Sequence, residues 1–116
     1  MKTITVLTPT YNRAKLLKRL YHSLRVQTSL NFTWMIIDDG SDDDTLQIVQ
    51  SFQQEDNITI IYQKQENGGK HRALNRGIMQ IETPLTYIVD SDDFLPKDAI
   101  ETILQYHEKY RDEKKL

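Results

Sequence analysis

Phe32-Thr33-Trp34-Met35-Ile36-Ile37, followed at once by Asp38-Asp39-Gly40-Ser41, is the stretch that decides the fold. Six residues dense in aromatic and β-branched side chains read as a buried strand. Two aspartates then stand where that strand must end. The pattern returns fifty-two residues on, as Tyr87-Ile88-Val89 followed by Asp90-Ser91-Asp92-Asp93. In an open α/β sheet, ligands bind in the crevice beyond the carboxyl ends of the strands. Two acidic strand ends on one edge of such a sheet form an anionic pocket, which calls for a cation. A metal-assisted nucleotide site is the reading that follows.

Outward from this stretch, strand-like and helix-like patterns alternate. Ile4 to Leu7 reads as a buried strand closed by Thr8-Pro9-Thr10. From Lys15 to Val26, Leu17, Leu20, Tyr21 and Leu24 share one helical face. Ser41 suits a helix N-cap, with Asp44 three residues on and Leu46, Val49 and Phe52 marking the buried face. Ile58 to Tyr62 is a third strand, and a helix carrying Ala73, Leu74, Gly77, Ile78 and Ile81 follows Asn67-Gly68-Gly69. Leu85 to Val89 is a fourth strand. Pro96 fits the first position of a last helix with Ile100, Ile103, Leu104 and His107 inward. The order βαβαβαβα predicts a Rossmann-like, doubly wound, mainly parallel sheet with helices on both faces. Residues 1–110 form one such domain, and 111–116 read as a frayed polar tail.

At 116 residues the chain is one domain at most. Its 15 basic and 17 acidic residues, a net charge of -2, imply no nucleic-acid partner. With no cysteine, disulfides and thiolate metal sites are excluded, and a cytoplasmic location fits. Thr3 to Leu7 is too short and polar for a signal-peptide core, and no apolar run approaches the ~20 residues of a membrane helix. If the fourth strand lies at an edge, its apolar Leu85, Tyr87, Ile88 and Val89 make a liability, and self-association or poor solubility is expected.

Four constellations carry chemistry. In Asp90-Ser91-Asp92, extended residues i and i+2 project to one side, roughly 7 Å apart from ~3.3 Å rises. Two such carboxylates suit Mg2+ or Mn2+, hard cations that share oxygen ligands with phosphates. The plainer account is a solvated turn in which Asp93 or Ser91 caps a helix. Asp42, Asp43 and Asp44 are covered by stabilisation of a helix start. Asp38 and Asp39 come too early for that, so Asp39 is the candidate base or ribose ligand and Asp38 its support. Gly68-Gly69 lets backbone approach a ligand, with Lys70, His71 and Arg72 adding positive charge. A plain turn with solvated cations explains it equally. Tyr11 can stack on a base, Asn12 can cap the first helix and Arg13 can reach a phosphate.

Together, Pro9-Thr10-Tyr11-Asn12-Arg13, Asp38-Asp39-Gly40-Ser41, Asn67-Gly68-Gly69 with Ala73-Leu74-Asn75, and Asp90-Ser91-Asp92-Asp93 resemble the family 2 glycosyltransferases of the A-type fold. The resemblance covers the whole chain. It implies a nucleoside-diphosphate sugar, with uracil the common base, as donor, and a saccharide or lipid-linked acceptor. Pro9, Tyr11 and Arg13 would surround base and ribose, with Asp39 reading the base edge and Asp38 supporting it. Gly69, Lys70 and Arg72 would lie near base or diphosphate. Asp90-Ser91-Asp92 would be the D-x-D motif, with Asp92 first for Mn2+ or Mg2+, Asp90 on the ribose or reaching the metal through a bridging water, and Asp93 a further participant. The Asn-Gly-Gly-Lys-His run resembles enzymes of bacterial surface polysaccharide synthesis.

The resemblance also implies an inverting enzyme whose carboxylate base lies further beyond the D-x-D motif than the residues that remain. Nothing from Phe94 to Leu116 matches that later motif, so no catalytic residue is expected in this chain and the base is expected beyond Leu116. The expectation is a truncated A-type fold holding the donor half, binding nucleotide weakly and transferring no sugar. The full-length protein would be cytoplasmic, at most peripheral to the inner face of a membrane through missing sequence. A non-catalytic nucleotide-binding or receiver-like module competes. A receiver, however, needs acidic residues after its first and third strands, which here end in Thr8-Pro9-Thr10 and Gln63-Lys64-Gln65. A nucleotidyltransferase typically places a glycine-rich loop after strand one, and no glycine precedes Gly40.

Overall fold

A computed structural model describes residues 2–114, with side chains to position 111. Four strands alternate with four helices: β1 (Ile4–Thr10), α1 (Ala14–Arg25), β2 (Phe32–Asp38), α2 (Thr45–Glu55), β3 (Thr59–Lys64), α3 (Lys70–Ile78), β4 (Leu85–Ile88) and α4 (Ala99–Lys114). The sheet is parallel throughout, in the order β3-β2-β1-β4. Its register aligns Thr10 with Asp38 and Asp38 with Lys64, so the carboxyl ends share one edge.

That order explains the placement of the helices. From β1 the chain steps outward to β2 and β3, then returns across the sheet to β4 on the other side of β1. Right-handed crossovers therefore put α1 and α2 on one face and α3 on the opposite one. The core divides accordingly. Ile4, Val6, Trp34 and Ile36 pack under α1, α2 and Ile100 of α4, whereas Leu7, Met35 and Ile37 meet Ala73 of α3. Alternate residues of β1 and β2 thus serve opposite layers, as the two-residue period of a strand requires. On the larger side Tyr21 stacks on Phe52 with ring centroids 4.0 Å apart, and the buried Trp34 indole donates to Thr8 Oγ1 at 2.9 Å. On the smaller side α3 lies close to the sheet because it presents Gly77. A Cβ there would stand 2.4 Å from Leu7 Cδ1.

Several local expectations are corrected. Ser41 does not cap α2, which begins at Thr45. Its hydroxyl accepts the backbone N–H of Asn12 at 2.8 Å instead. Nor does Asn12 cap α1. It takes a left-handed φ of 51°, and its side-chain oxygen accepts the N–H of Asp42 at 2.9 Å. Asp43 ties both helix starts together, accepting from Thr45 N at 3.1 Å and Ala14 N at 3.3 Å. Leu46 is exposed, and Ile48 occupies the buried face beside Val49 and Phe52. Ile78 is exposed as well, and α3 ends there, before Ile81. Pro96 lies in a turn three residues ahead of α4. Residues 111–114 continue α4, while 115 and 116 lie outside the described residues. β4 does lie at an edge, with Ile88 exposed.

Candidate active site at the carboxyl edge

Because connections from β1 and β3 leave to opposite faces, the space between β1 and β4 at the carboxyl edge is the topological switch point, where doubly wound sheets open a crevice. A cavity of about 280 Å³ lies there. Pro9, Thr10, Tyr11 and Arg13 line it from the end of β1, Asp39 from β2, and Asp90, Ser91 and Asp92 from β4, with Lys70 entering from the first position of α3. The volume is close to the lower end of small-molecule sites, ~300 Å³.

Each wall has a local cause. Asp39 continues β2 by one step, its N–H donating to Thr10 O at 2.8 Å. Its carboxylate then receives Gln65 Nε2 and Gly68 N at 2.9 Å, Gly69 N at 2.8 Å and Asn67 Nδ2 at 3.2 Å. Four donors from one loop fill the lone-pair capacity of a carboxylate. Burial pushes the Asp39 carboxyl up, but these hydrogen bonds and the charge of Arg72 outweigh it and hold it below its ordinary value. Gly40 makes the docking of that loop feasible. Its φ of 86° needs glycine, and a Cβ would meet Asn67 N at 2.8 Å.

Asp38 does not line the cavity. It is fully buried, accepting Ser41 N at 2.9 Å through one oxygen and the Tyr62 hydroxyl through the other. Burial first, then this bond, pushes the Tyr62 hydroxyl pKa up. Asp38 therefore braces the loop after β2 and presents no free edge to a base. Gly69 likewise reaches the cavity only through its N–H on Asp39, and Arg72 packs its side chain over Gly68 outside the lining.

At the β4 end the chemistry is open. Asp90, Asp92 and Asp93 each offer an oxygen, and the three oxygens lie within 4.8 Å of one another. Hard oxygen donors this close, partly or largely exposed, fit Mg2+ or Mn2+ with room left for water and phosphate. Lys70 Nζ stands 2.8 Å from Asp90 Oδ1, and Arg13 Nη1 stands 3.2 Å from Asp92 Oδ2. Arg19 donates to the Asp92 carbonyl and lies 4.9 Å from the Phe94 ring centroid, fixing the turn from behind. Tyr11 is 45% exposed at the cavity wall, as a stacking surface must be.

Three contributors were not assigned roles from sequence. Gln65 and Asn67 hold Asp39, and only the β2–β3 pairing, which carries Gln65 N to Asp38 O at 2.9 Å, brings them there. Thr10 is the third. It is 3% exposed on the cavity wall, and its hydroxyl has no hydrogen-bond partner among the described residues. A buried hydroxyl without a partner is uncommon and marks a wall where a ligand atom or water can be received. Its place at the end of β1, beside Tyr11, was the available signal.

Known proteins are similar to this chain in sequence and in fold. Residues 5–113 match the family model described as Glycosyl transferase family 2. Glycosyltransferase GlyG of Streptococcus pneumoniae is 34% identical over 102 residues, covering 88% of this chain and 34% of that protein. The poly(ribitol-phosphate) beta-N-acetylglucosaminyltransferase TarS of Staphylococcus aureus is 32% identical over 102 residues, covering 86% of this chain and 18% of its own length. The crystal structure of S. aureus TarS 1-349 in complex with UDP-GlcNAc superposes with a TM-score of 0.87 at 30% identity, over 96% of this chain and 32% of that one. This chain thus spans about a third or less of the length of each of these proteins. On a family match running through all four strands and the whole cavity wall, the chain belongs to glycosyl transferase family 2.

Proposed function

We propose that the switch-point cavity binds the donor of a metal-dependent, inverting sugar transfer, a UDP-sugar, in the synthesis of a bacterial surface polysaccharide. The observation that carries this reading is one cavity that combines an exposed aromatic face at Tyr11, two cations at Arg13 and Lys70, and a convergent carboxylate set at Asp90 and Asp92. Base, diphosphate and metal each find a chemically matched wall. TarS, similar over nearly this whole chain, is described in complex with UDP and with UDP-GlcNAc, which favours uridine here.

In this reading Tyr11 stacks on the base. Thr10 offers its free hydroxyl to a base or ribose oxygen, and Asp39 holds the Gly68–Gly69 loop so that Lys70 and the start of α3 face the diphosphate. Asp92 and Asp90, with Asp93 adjacent, would hold Mn2+ or Mg2+, which supplies Lewis-acid stabilisation of charge on the departing nucleoside diphosphate. The sugar carbon is attacked by an acceptor hydroxyl as its bond to phosphate oxygen breaks, and a carboxylate base takes the hydroxyl proton. This chain's part is to bind and orient the donor. The protein acts in the cytoplasm on a saccharide or lipid-linked acceptor. At the edge strand β4 the exposed Ile88 favours pairing with a second copy, which light scattering at high concentration reads directly.

Calorimetric titration with uridine, guanosine, adenosine and cytidine diphosphates, with and without Mn2+, tests the reading. Metal-dependent preference for UDP is expected. Equal indifference to all four, with and without metal, refutes it.

A further inference from the structure

We infer that Lys70 and Arg13 make the carboxylate set select a metal–diphosphate pair over the free metal ion, by occupying the carboxylates until a diphosphate draws them away. The inference rests on the donor-site reading above and adds a specificity device to it.

The argument begins with charge. Asp90, Asp92 and Asp93 bring their oxygens within 4.8 Å of one another, an arrangement that is repulsive unless compensated. Two side chains from different elements supply the compensation, Lys70 from the start of α3 and Arg13 from the loop after β1. Each meets a different carboxylate, at 2.8 Å on Asp90 and 3.2 Å on Asp92. A divalent ion entering alone meets an ammonium and a guanidinium already on its ligands. It must displace them into water or bind beside them against like charge, and either lowers its affinity.

A diphosphate changes that balance. Lys70 and Arg13 line the cavity as well as pairing with the carboxylates, so both can reach a ligand lying within it. Phosphate oxygens are strong acceptors for guanidinium and ammonium groups. With the cations turned onto phosphate, Asp90 and Asp92 are released to the metal, and the metal's own charge holds the diphosphate. The exchange is easy because all four side chains are about half exposed, 56% and 41% for one pair and 47% and 51% for the other. Such pairs are weak enough to be traded. By contrast, Asp39 is locked by four hydrogen bonds and cannot take part.

Linkage makes the prediction reciprocal: UDP tightens Mn2+ binding by the factor by which Mn2+ tightens UDP binding. The variants Lys70→Met and Arg13→Met test the mechanism through Mn2+ alone, with free Mn2+ counted by electron paramagnetic resonance and no nucleotide present. Each variant should bind Mn2+ about three- to fivefold more tightly than the wild-type chain, the range expected for losing one exposed competing charge. The factor by which UDP improves Mn2+ affinity should shrink by a similar amount. Lys70→Arg keeps the charge and should keep the weak metal-alone affinity, which separates competition from a structural role. Thermal melts of the same samples establish that each variant is folded. A wild-type chain that binds Mn2+ and UDP together, with Met variants no tighter for Mn2+ alone, overturns the exchange and leaves the donor site standing. A chain that binds Mn2+ and UDP with no mutual dependence overturns both.

Discussion

At the end of β2, Asp38 and Asp39 are buried, and every carboxylate oxygen holds a hydrogen bond from the molecule itself. At the end of β4, Asp90 and Asp92 stand half in solvent, and among the described residues their carboxylates pair with a lysine and an arginine. The two clusters look alike in sequence and follow equivalent strands of one sheet. Their surroundings separate them. β2 lies inside the sheet with β3 beside it, so Tyr62, Gln65 and the glycine loop arrive to satisfy its acids. β4 is an edge strand facing the crevice, so its acids keep their capacity for a ligand. One acidic strand end is used up in building the cavity wall, and the other lines the cavity with half-exposed carboxylates.

Substitutions should therefore divide cleanly between stability and binding. The largest stability effect is expected for Asp38→Ala, which strands the buried Ser41 N–H and Tyr62 hydroxyl. Urea unfolding should show a loss of about 3 kcal/mol. Gly40→Ala should follow at about 2 kcal/mol, because it forces a side chain into a left-handed backbone against Asn67 N. Both are expected to weaken UDP binding only through loss of fold. Asp92→Asn reverses the pattern. Its ion pair is exposed, so stability should shift by no more than about 1 kcal/mol, while metal dependence of UDP binding disappears. A strongly destabilised Asp92→Asn would break the comparison.

A subtler effect is in the pH dependence. Asp39 and Asp43 have carboxyls held below their ordinary value, despite burial that opposes it, by hydrogen bonds that favour the charged form. The folded chain thus binds fewer protons than the unfolded one near the ordinary carboxyl value of 3.8. Their stabilisation is fully present above that pH and is lost as the pH falls through the lower folded values. Wild-type stability should drop on acidification below about pH 4, and Asp39→Asn, less stable at neutral pH, should show a flatter acid limb in pH-dependent denaturation.

Much of this arrangement is legible in the sequence, for a physical reason. Strand and helix periods are local, so Ile4 to Leu7, Phe32 to Ile37 and the Leu17-Leu20-Tyr21-Leu24 face all lie in the expected elements. The alternation βαβα then fixes parallel pairing, which brings Pro9, Tyr11, Arg13, Asp39, Lys70, Asp90, Ser91 and Asp92 to one edge. What stayed hidden depends on partners distant in the chain. Ser41 has the composition of a cap, yet Asn12 N, twenty-nine residues earlier, takes its hydroxyl. Asp38 and Asp39 differ by one step along the strand. That step decides whether a carboxylate points into the core toward Tyr62 or up toward the glycine loop. Gln27 is a similar case. Buried at the end of α1, it donates to Pro96 O at 2.6 Å and accepts Ile100 N at 3.1 Å, so it sets where α4 begins. No local pattern announces such a residue.

The division of labour between the two strand ends is tested most directly by titrating UDP into wild-type and Asp92→Asn protein, each with and without Mn2+, on samples whose melting temperatures agree. The account predicts that Mn2+ strengthens UDP binding in the wild-type chain and leaves it unchanged in Asp92→Asn. Equal strengthening by Mn2+ in both proteins would contradict it.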